Sequence, residues 1–255
     1  MTCPIAFFHG VTRCGASCDP LRPFFDIRWS PDFPGHGAAE RRPGHYRVAD
    51  QTEWAAGYVA RLDVAKVILY GHSMGAMVAA AVAARLPDRV AAVILEDPPY
   101  STMGSRIHNT PLHSYFTALR GVVGQTGLPL ADYARQLGDL RYGHPAATRL
   151  GDTRDATALR FSAYAFQRLD PAVLDPILDE TWMDGYDLGR IACPALVLQA
   201  DRLEGGMLTA EEAEWLATKA PDCTTVRVDK APHLMHWMQT AAVVRLVTGF
   251  LATLE

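Results

Sequence analysis

Ser73 stands between two glycines in the pentapeptide Gly71-His72-Ser73-Met74-Gly75. A serine hydroxyl is a weak nucleophile at neutral pH and needs a base within hydrogen-bond reach. Context singles this serine out. The apolar run Val67-Ile68-Leu69-Tyr70 before it reads as a buried strand, and the Ala-rich stretch from Ala76 to Arg85 after it reads as a helix. A serine at so sharp a strand-to-helix junction takes a strained backbone conformation and projects from the carboxyl end of the strand. Side chains two positions before and after it would collide, and glycines at 71 and 75 relieve that crowding. Backbone N–H groups and the positive end of the helix dipole then face any oxyanion that forms there.

The rest of the chain supplies elements able to position such a serine. Strands are predicted at Pro4–Phe8, Phe25–Trp29, Val67–Tyr70, Val90–Leu95, Ala195–Gln199 and Thr224–Val228. Helices are predicted at Gln51–Leu62, Met74–Leu86, Thr209–Lys219 and Thr240–Leu254. Short strands alternating with helices imply an α/β fold: a doubly wound, mostly parallel sheet with its functional loops at the carboxyl ends of the strands. The alternation stops from about Tyr100 to Arg190, where no strand-like run is read. Helical segments take over at Leu112–Val123, Leu130–Leu140, Ala156–Leu169 and Pro171–Leu178. The expected organisation is a core made of residues 1–99 and 191–255, interrupted by a helical insertion over 100–190.

Three further motifs share the order of the chain with the serine turn. His9-Gly10-Val11-Thr12 follows the first strand, and Asp32-Phe33-Pro34-Gly35-His36-Gly37 follows the second. Pro232-His233-Leu234-Met235-His236 follows the last. In this order and spacing the four motifs resemble the α/β-hydrolase family over nearly the whole chain. The resemblance implies a nucleophile elbow at Ser73, an oxyanion loop at His9-Gly10, a catalytic histidine at His233 and a helical cap at 100–190. Two departures stand out. Only about eight residues precede the His-Gly loop, where the family usually places two more strands, so the sheet is expected to be N-terminally shortened. The Phe25–Trp29 strand is then an edge open to self-association as a homodimer. In addition, the loop after Ala195–Gln199 reads Ala200-Asp201-Arg202-Leu203-Glu204, with Leu203 where most members carry the acid. Some members place the acid one strand earlier, which favours Asp97 over Asp201 and Glu204.

The implied chemistry is that of a serine hydrolase. His233 acts as base, Asp97 fixes its tautomer, and the amides of Val11 and Met74 bind the oxyanion. His72 and His236 are expected to pack nearby, with His9 and His36 bracing their loops. Arg13, Phe116, Phe166, Trp182, Tyr186, Met235 and Trp237 are candidates for the pocket wall, with Met74 beside them. The expected substrate is a small, mostly hydrophobic ester, lactone, thioester or amide. The same fold also serves acyl transfer, C–C bond cleavage, other non-hydrolytic reactions and small-molecule reception with slow turnover, and those readings stay open.

Composition narrows the field. With 49% hydrophobic residues, 20% charged residues and a net charge of −4, the chain reads as an ordinary globular protein without a basic field for nucleic acid. No apolar run is long enough to span a membrane, and the N-terminus does not read as a signal peptide, so a cytoplasmic location is expected. The five cysteines, at 3, 14, 18, 193 and 223, have no metal-ligand spacing. Neither H-E-x-x-H nor a Gly-rich dinucleotide fingerprint occurs, so no metal and no cofactor are expected.

Overall fold

The computed structural model describes residues 3–143 and 148–254. Its strands are β1 (Ile5–Phe8), β2 (Ile27–Trp29), β3 (Val67–His72), β4 (Val90–Glu96), β5 (Arg141–Tyr142), β6 (Thr148–Arg149), β7 (Ala195–Ala200) and β8 (Cys223–Val228). Its helices are α1 (Val48–Ala60), α2 (Met74–Arg85), α3 (Tyr100–Met103), α4 (Leu112–Arg120), α5 (Leu130–Gly138), α6 (Ala156–Gln167), α7 (Asp175–Leu178), α8 (Ala210–Lys219), α9 (Met235–Met238) and α10 (Thr240–Ala252). Six strands form one sheet in the order β2-β1-β3-β4-β7-β8, and every pairing in it is parallel. The doubly wound α/β class expected from the sequence is therefore present, with β2 at one edge.

The period-two alternation of side chains divides the strands between two cores. Ala6, Phe8, Leu69, Val93, Leu95 and Val197 face α1, α2 and α8. Ile5, Phe7, Ile68, Tyr70, Ile94, Leu196 and Leu198 face α10. Every residue of β3 is buried because both faces of the sheet are covered. That is why its sequence reads as an unbroken apolar run rather than an alternating one. Burial of each large side chain here is worth about 1.5–3 kcal/mol, which fixes the strand whose end carries Ser73.

Between β4 and β7 the chain departs from strand–helix alternation, as expected, with one correction. Arg141–Tyr142 and Thr148–Arg149 pair as a short antiparallel hairpin within a segment in which no strand was expected. Two-residue strands carry no periodicity, so pattern reading has nothing to detect. The predicted helix over Pro171–Leu178 is a 3₁₀ turn at Pro171–Leu174 running into α7. Among the described residues no helix is long and apolar enough to cross a membrane.

Candidate active site

The elbow is built by contacts that forbid anything larger than glycine. A Cβ on Gly71 would lie 2.1 Å from the Gly75 carbonyl oxygen, and one on Gly75 would lie 2.0 Å from that of Phe8. Ser73 sits between them at φ 57°, ψ −124°, a region costly to a non-glycine residue. Its own amide donates to Glu96 O at 2.9 Å, tying the turn to the end of β4. α2 begins at Met74, so the Met74 amide has no partner within the helix. Among the described residues the Val11 amide likewise has no protein partner, and Val11 and Ser73 line one cavity.

His233 follows β8 and lies on the same cavity wall as Ser73. Its Nδ1 contacts Asp97 Oδ2 at 2.6 Å. That contact assigns the proton to Nδ1 and leaves Nε2 as the basic nitrogen. No hydrogen bond joins Ser73 to the His233 ring among the described residues, a contact that in related geometries tightens only once substrate is bound. Asp97 is fully buried and follows β4 at φ 47°. Its carboxylate also accepts from the amides of Ala200 (3.2 Å), Met207 (2.8 Å) and Leu208 (3.1 Å). With these partners the carboxylate is locked in one orientation. The other two candidate acids go elsewhere. Asp201 accepts from the amides of Lys230 and Leu203, which hold its carboxyl below the usual range. Glu204 borders the cavity without contacting His233.

Two histidines brace the loop that carries Val11. His9 Nδ1 donates to Gly10 O at 2.8 Å, and its Nε2 accepts from the Phe33 amide at 3.0 Å. His36 Nδ1 donates to Pro34 O, and its Nε2 accepts from the Thr12 amide at 3.3 Å. An imidazole that accepts from an amide at one nitrogen must be neutral. Burial pushes His9 down to about 4 and His36 well below the ordinary histidine value. The motif Asp32 to Gly37 joins the same scaffold, with Asp32 accepting from the Gly15 and Ala38 amides.

A second acid–imidazole pair lies behind the first. Glu96 Oε1 contacts His236 Nδ1 at 2.8 Å and accepts from the His236 amide at 3.1 Å. Tyr70 Oη donates to Glu96 Oε2 at 2.5 Å. His72 is wedged between the pairs, with its ring centre 4.7 Å from that of His233 and 4.9 Å from that of His236. Its Nε2 donates to His233 O at 3.0 Å, while its buried Nδ1 has no partner among the described residues. His72, Glu96 and His236 are close enough to be examined as a metal ligand set. Glu96 and His236 already hold Tyr70, Ser17 and each other, which accounts for the cluster as a buried hydrogen-bond network.

The cavity in front of Ser73 has a volume of about 430 Å³. Val11, Arg13, Ser73, His233 and Trp237 line it from the sheet side. Tyr115, Phe116, Arg154, Phe161 and Ser162 line it from the segment between β4 and β7. Of the candidates for the wall, Arg13, Phe116 and Trp237 line this cavity, and four others do not. Phe166, Trp182 and Met235 are buried in the core, and Tyr186 donates its hydroxyl to Met77 O away from the cavity. Met74 is also buried, outside the wall, with only its amide at the turn. These side chains are large and apolar, and sequence alone does not separate a core aromatic from a cavity aromatic. Arg154 was missed because Gly151-Asp152-Thr153-Arg154-Asp155 reads as a solvated turn. The Glu96–His236 pair was missed because Glu96 closes an otherwise apolar strand.

Known proteins share sequence and fold with this chain. The chain is 35% identical over 98 residues to the 2-(acetamidomethylene)succinate hydrolase of Mesorhizobium japonicum, covering 37% of this chain and 35% of that one. It is 26% identical over 182 residues to the N-formylmaleamate deformylase of Pseudomonas putida, covering 71% of this chain and 61% of the relative. The chain thus spans between about a third and three fifths of the length of these curated relatives. A solved marine microorganism esterase superposes with a TM-score of 0.73 at 17% identity, over 98% of this chain and 95% of that one. The sequence profile of the alpha/beta hydrolase fold matches residues 28–239, and the chain belongs to that family.

Proposed function

We propose that the protein is a serine hydrolase that cleaves a small ester, lactone, thioester or amide through an acyl-enzyme on Ser73. The observation that carries this reading is the 2.6 Å contact between Asp97 and His233 on the wall of the cavity that Ser73 also lines. In this reading His233 Nε2 removes the Ser73 proton as Oγ attacks the carbonyl carbon. The amides of Val11 and Met74 stabilise the oxyanion; losing one such donor costs about 3–4 kcal/mol in the transition state. The imidazolium, stabilised by Asp97, then protonates the departing alcohol, thiol or amine. Water, deprotonated by His233 in turn, releases the acid and restores Ser73. None of these steps calls on a metal or cofactor.

The relatives named as a hydrolase and a deformylase of small molecules support the reaction class. The segment 100–190 acts as a cap in this reading, since residues from α4 and α6 roof the cavity. The test is turnover of short-chain 4-nitrophenyl esters by the wild type and by Ser73→Ala. The proposal expects saturable release of nitrophenol that vanishes in the variant. Equal rates in both folded proteins would contradict it.

A further inference from the structure

Two arginines converge inside the cavity without a carboxylate between them. Arg13 Nη1 donates to Ser162 Oγ at 3.3 Å, and Arg154 Nη1 donates to the same oxygen at 2.7 Å. Arg154 Nη2 also donates to Tyr115 Oη at 3.2 Å. Aromatic rings complete the setting. Arg13 lies 5.9 Å from the centre of the Phe161 ring, and Arg154 lies 5.9 Å from that of Tyr115. Ser162 is fully buried and Arg13 is partly buried. Both hydroxyls are neutral, so they orient the guanidinium groups without balancing their charge.

Several arginines elsewhere in the chain are treated differently: Arg41 and Arg89 donate to backbone carbonyls, and others meet acids. Arg22, Arg28, Arg85, Arg120 and Arg149 each hold a carboxylate at the surface, where charge is already well solvated. The cavity pair, where solvation is poorer, has no such partner among the described residues. Asp155 and Glu204 border the cavity, yet neither pairs with Arg13 or Arg154. Asp155 Oδ1 instead caps α6 by accepting from the Ala158 amide at 2.7 Å. Burial, and next the positive charge of Arg154, pull the Arg13 guanidinium down to about 10. Two like charges held on one neutral oxygen are a standing cost that an anion would remove, and a carboxylate matches the guanidinium fork.

We propose that Arg13 and Arg154 are the binding site for a carboxylate carried by the substrate, so that the molecule cleaved at Ser73 is a small anionic ester or amide. This rests on the hydrolase reading and names its substrate class. The geometry also bounds the spacing. Arg13 lies two residues beyond Val11, whose amide faces the oxyanion in that reading, so their Cα atoms are separated by about 7 Å at most. Val11, Arg13, Arg154 and Ser73 line one cavity, so a short chain between the carboxylate and the scissile carbonyl is the spacing to test. Tyr115, Phe116, Phe161 and Trp237 are left to pack the apolar remainder of the molecule.

Two measurements on the full chain test this. The first is binding of succinate and of its neutral counterpart, succinamide, to Ser73→Ala, which requires no catalysis. The proposal expects succinate to bind about 10- to 100-fold more tightly than succinamide, as charge-assisted hydrogen bonds allow. The preference should weaken with added salt and disappear when Arg13→Gln and Arg154→Gln are added. The second is the ratio of kcat/KM for 4-nitrophenyl hemisuccinate to that for 4-nitrophenyl butyrate. It should favour the anionic ester by a similar factor in the wild type, fall towards unity in Arg13→Gln/Arg154→Gln, and partly recover in Arg13→Lys/Arg154→Lys. If the arginines only tied the loop to α6, the variants would slow both esters alike and leave the ratio unchanged. Equal binding of the two probes, or a ratio unmoved by the variants, overturns the proposal. Esterase activity that survives Ser73→Ala overturns the hydrolase reading instead, so the two failures are distinct. Should the double variant fail to fold, Arg154→Gln alone carries the same expectation at reduced size.

Discussion

Asp97–His233 and Glu96–His236 use the same chemical parts and come from neighbouring positions of the chain. In each, a carboxylate at or just beyond the end of β4 meets a histidine nitrogen of the segment after β8, at 2.6 and 2.8 Å. Their surroundings differ. Glu96 is the last residue of β4, and strand alternation turns it towards Tyr70 and the core beneath α10. Asp97 lies one residue further on, at positive φ, and its carboxylate meets His233 and the amides of Ala200, Met207 and Leu208. The His233 side chain is 20% exposed, whereas Glu96 and His236 are wholly enclosed. His236 has its second nitrogen 3.3 Å from Ser17 Oγ, while that of His233, on the wall of the Ser73 cavity, has no partner among the described residues. A carboxylate–imidazole contact is therefore not by itself a catalytic sign. In the proposed reading, a second nitrogen open to the cavity that Ser73 lines makes the difference.

The largest effect expected from this contrast is on turnover. Asp97→Asn should lower kcat by about 10⁴-fold, because the amide no longer fixes the tautomer or stabilises the imidazolium. Steady-state kinetics on a 4-nitrophenyl ester would read it. Glu96→Gln should leave kcat within about tenfold of wild type and instead lower stability by about 1–3 kcal/mol, because buried donors lose a charged acceptor. Denaturant unfolding would measure that cost. If Glu96→Gln slowed turnover as severely as Asp97→Asn in a folded protein, the distinction between the pairs would collapse.

Acidification sharpens the comparison through His72, the ring between the pairs. Burial, then the nearby His233 and His236, push it well below the ordinary histidine value; burial likewise holds His9 at about 4. For such groups the unfolded chain takes up protons first as pH falls below about 6.5. Stability is thus complete above about pH 6.5 and declines between there and about pH 4, by up to about 1.4 kcal/mol per pH unit for each histidine. Melting temperatures across that range should fall, and His72→Gln should flatten the slope. A stability that rises on acidification through the same window would refute the assignment. The smallest effect belongs to Ser17→Ala. It removes the hydroxyl at His236 Nε2 and should cost about 0.5–1.5 kcal/mol in unfolding, with kcat unchanged.

Much of this was legible in the sequence, and the boundary has physical causes. The strand runs, Gly71 and Gly75 report backbone requirements that few other residues meet, so the sheet and the elbow could be read directly. Asp97 was reachable only through the family resemblance, in which some members carry an acid after the strand that matches Val90–Leu95. The cavity wall was not. Phe116 on α4 and Phe166 on α6 are both aromatic residues of predicted helices, yet one lines the cavity and the other is buried in the core, a matter of helix packing across long sequence separations. Arg154 could not be recognised from its turn, since its meaning arises only when α6 brings Ser162 against Arg13.

Mapping the site of fluorophosphonate modification by peptide mass spectrometry tests the central claim most directly. The account predicts rapid, single modification at Ser73 in the wild type and modification slowed by about 10³- to 10⁴-fold in folded Asp97→Asn. No adduct in the folded wild type, an adduct on another residue, or equal rates in the two proteins would contradict it.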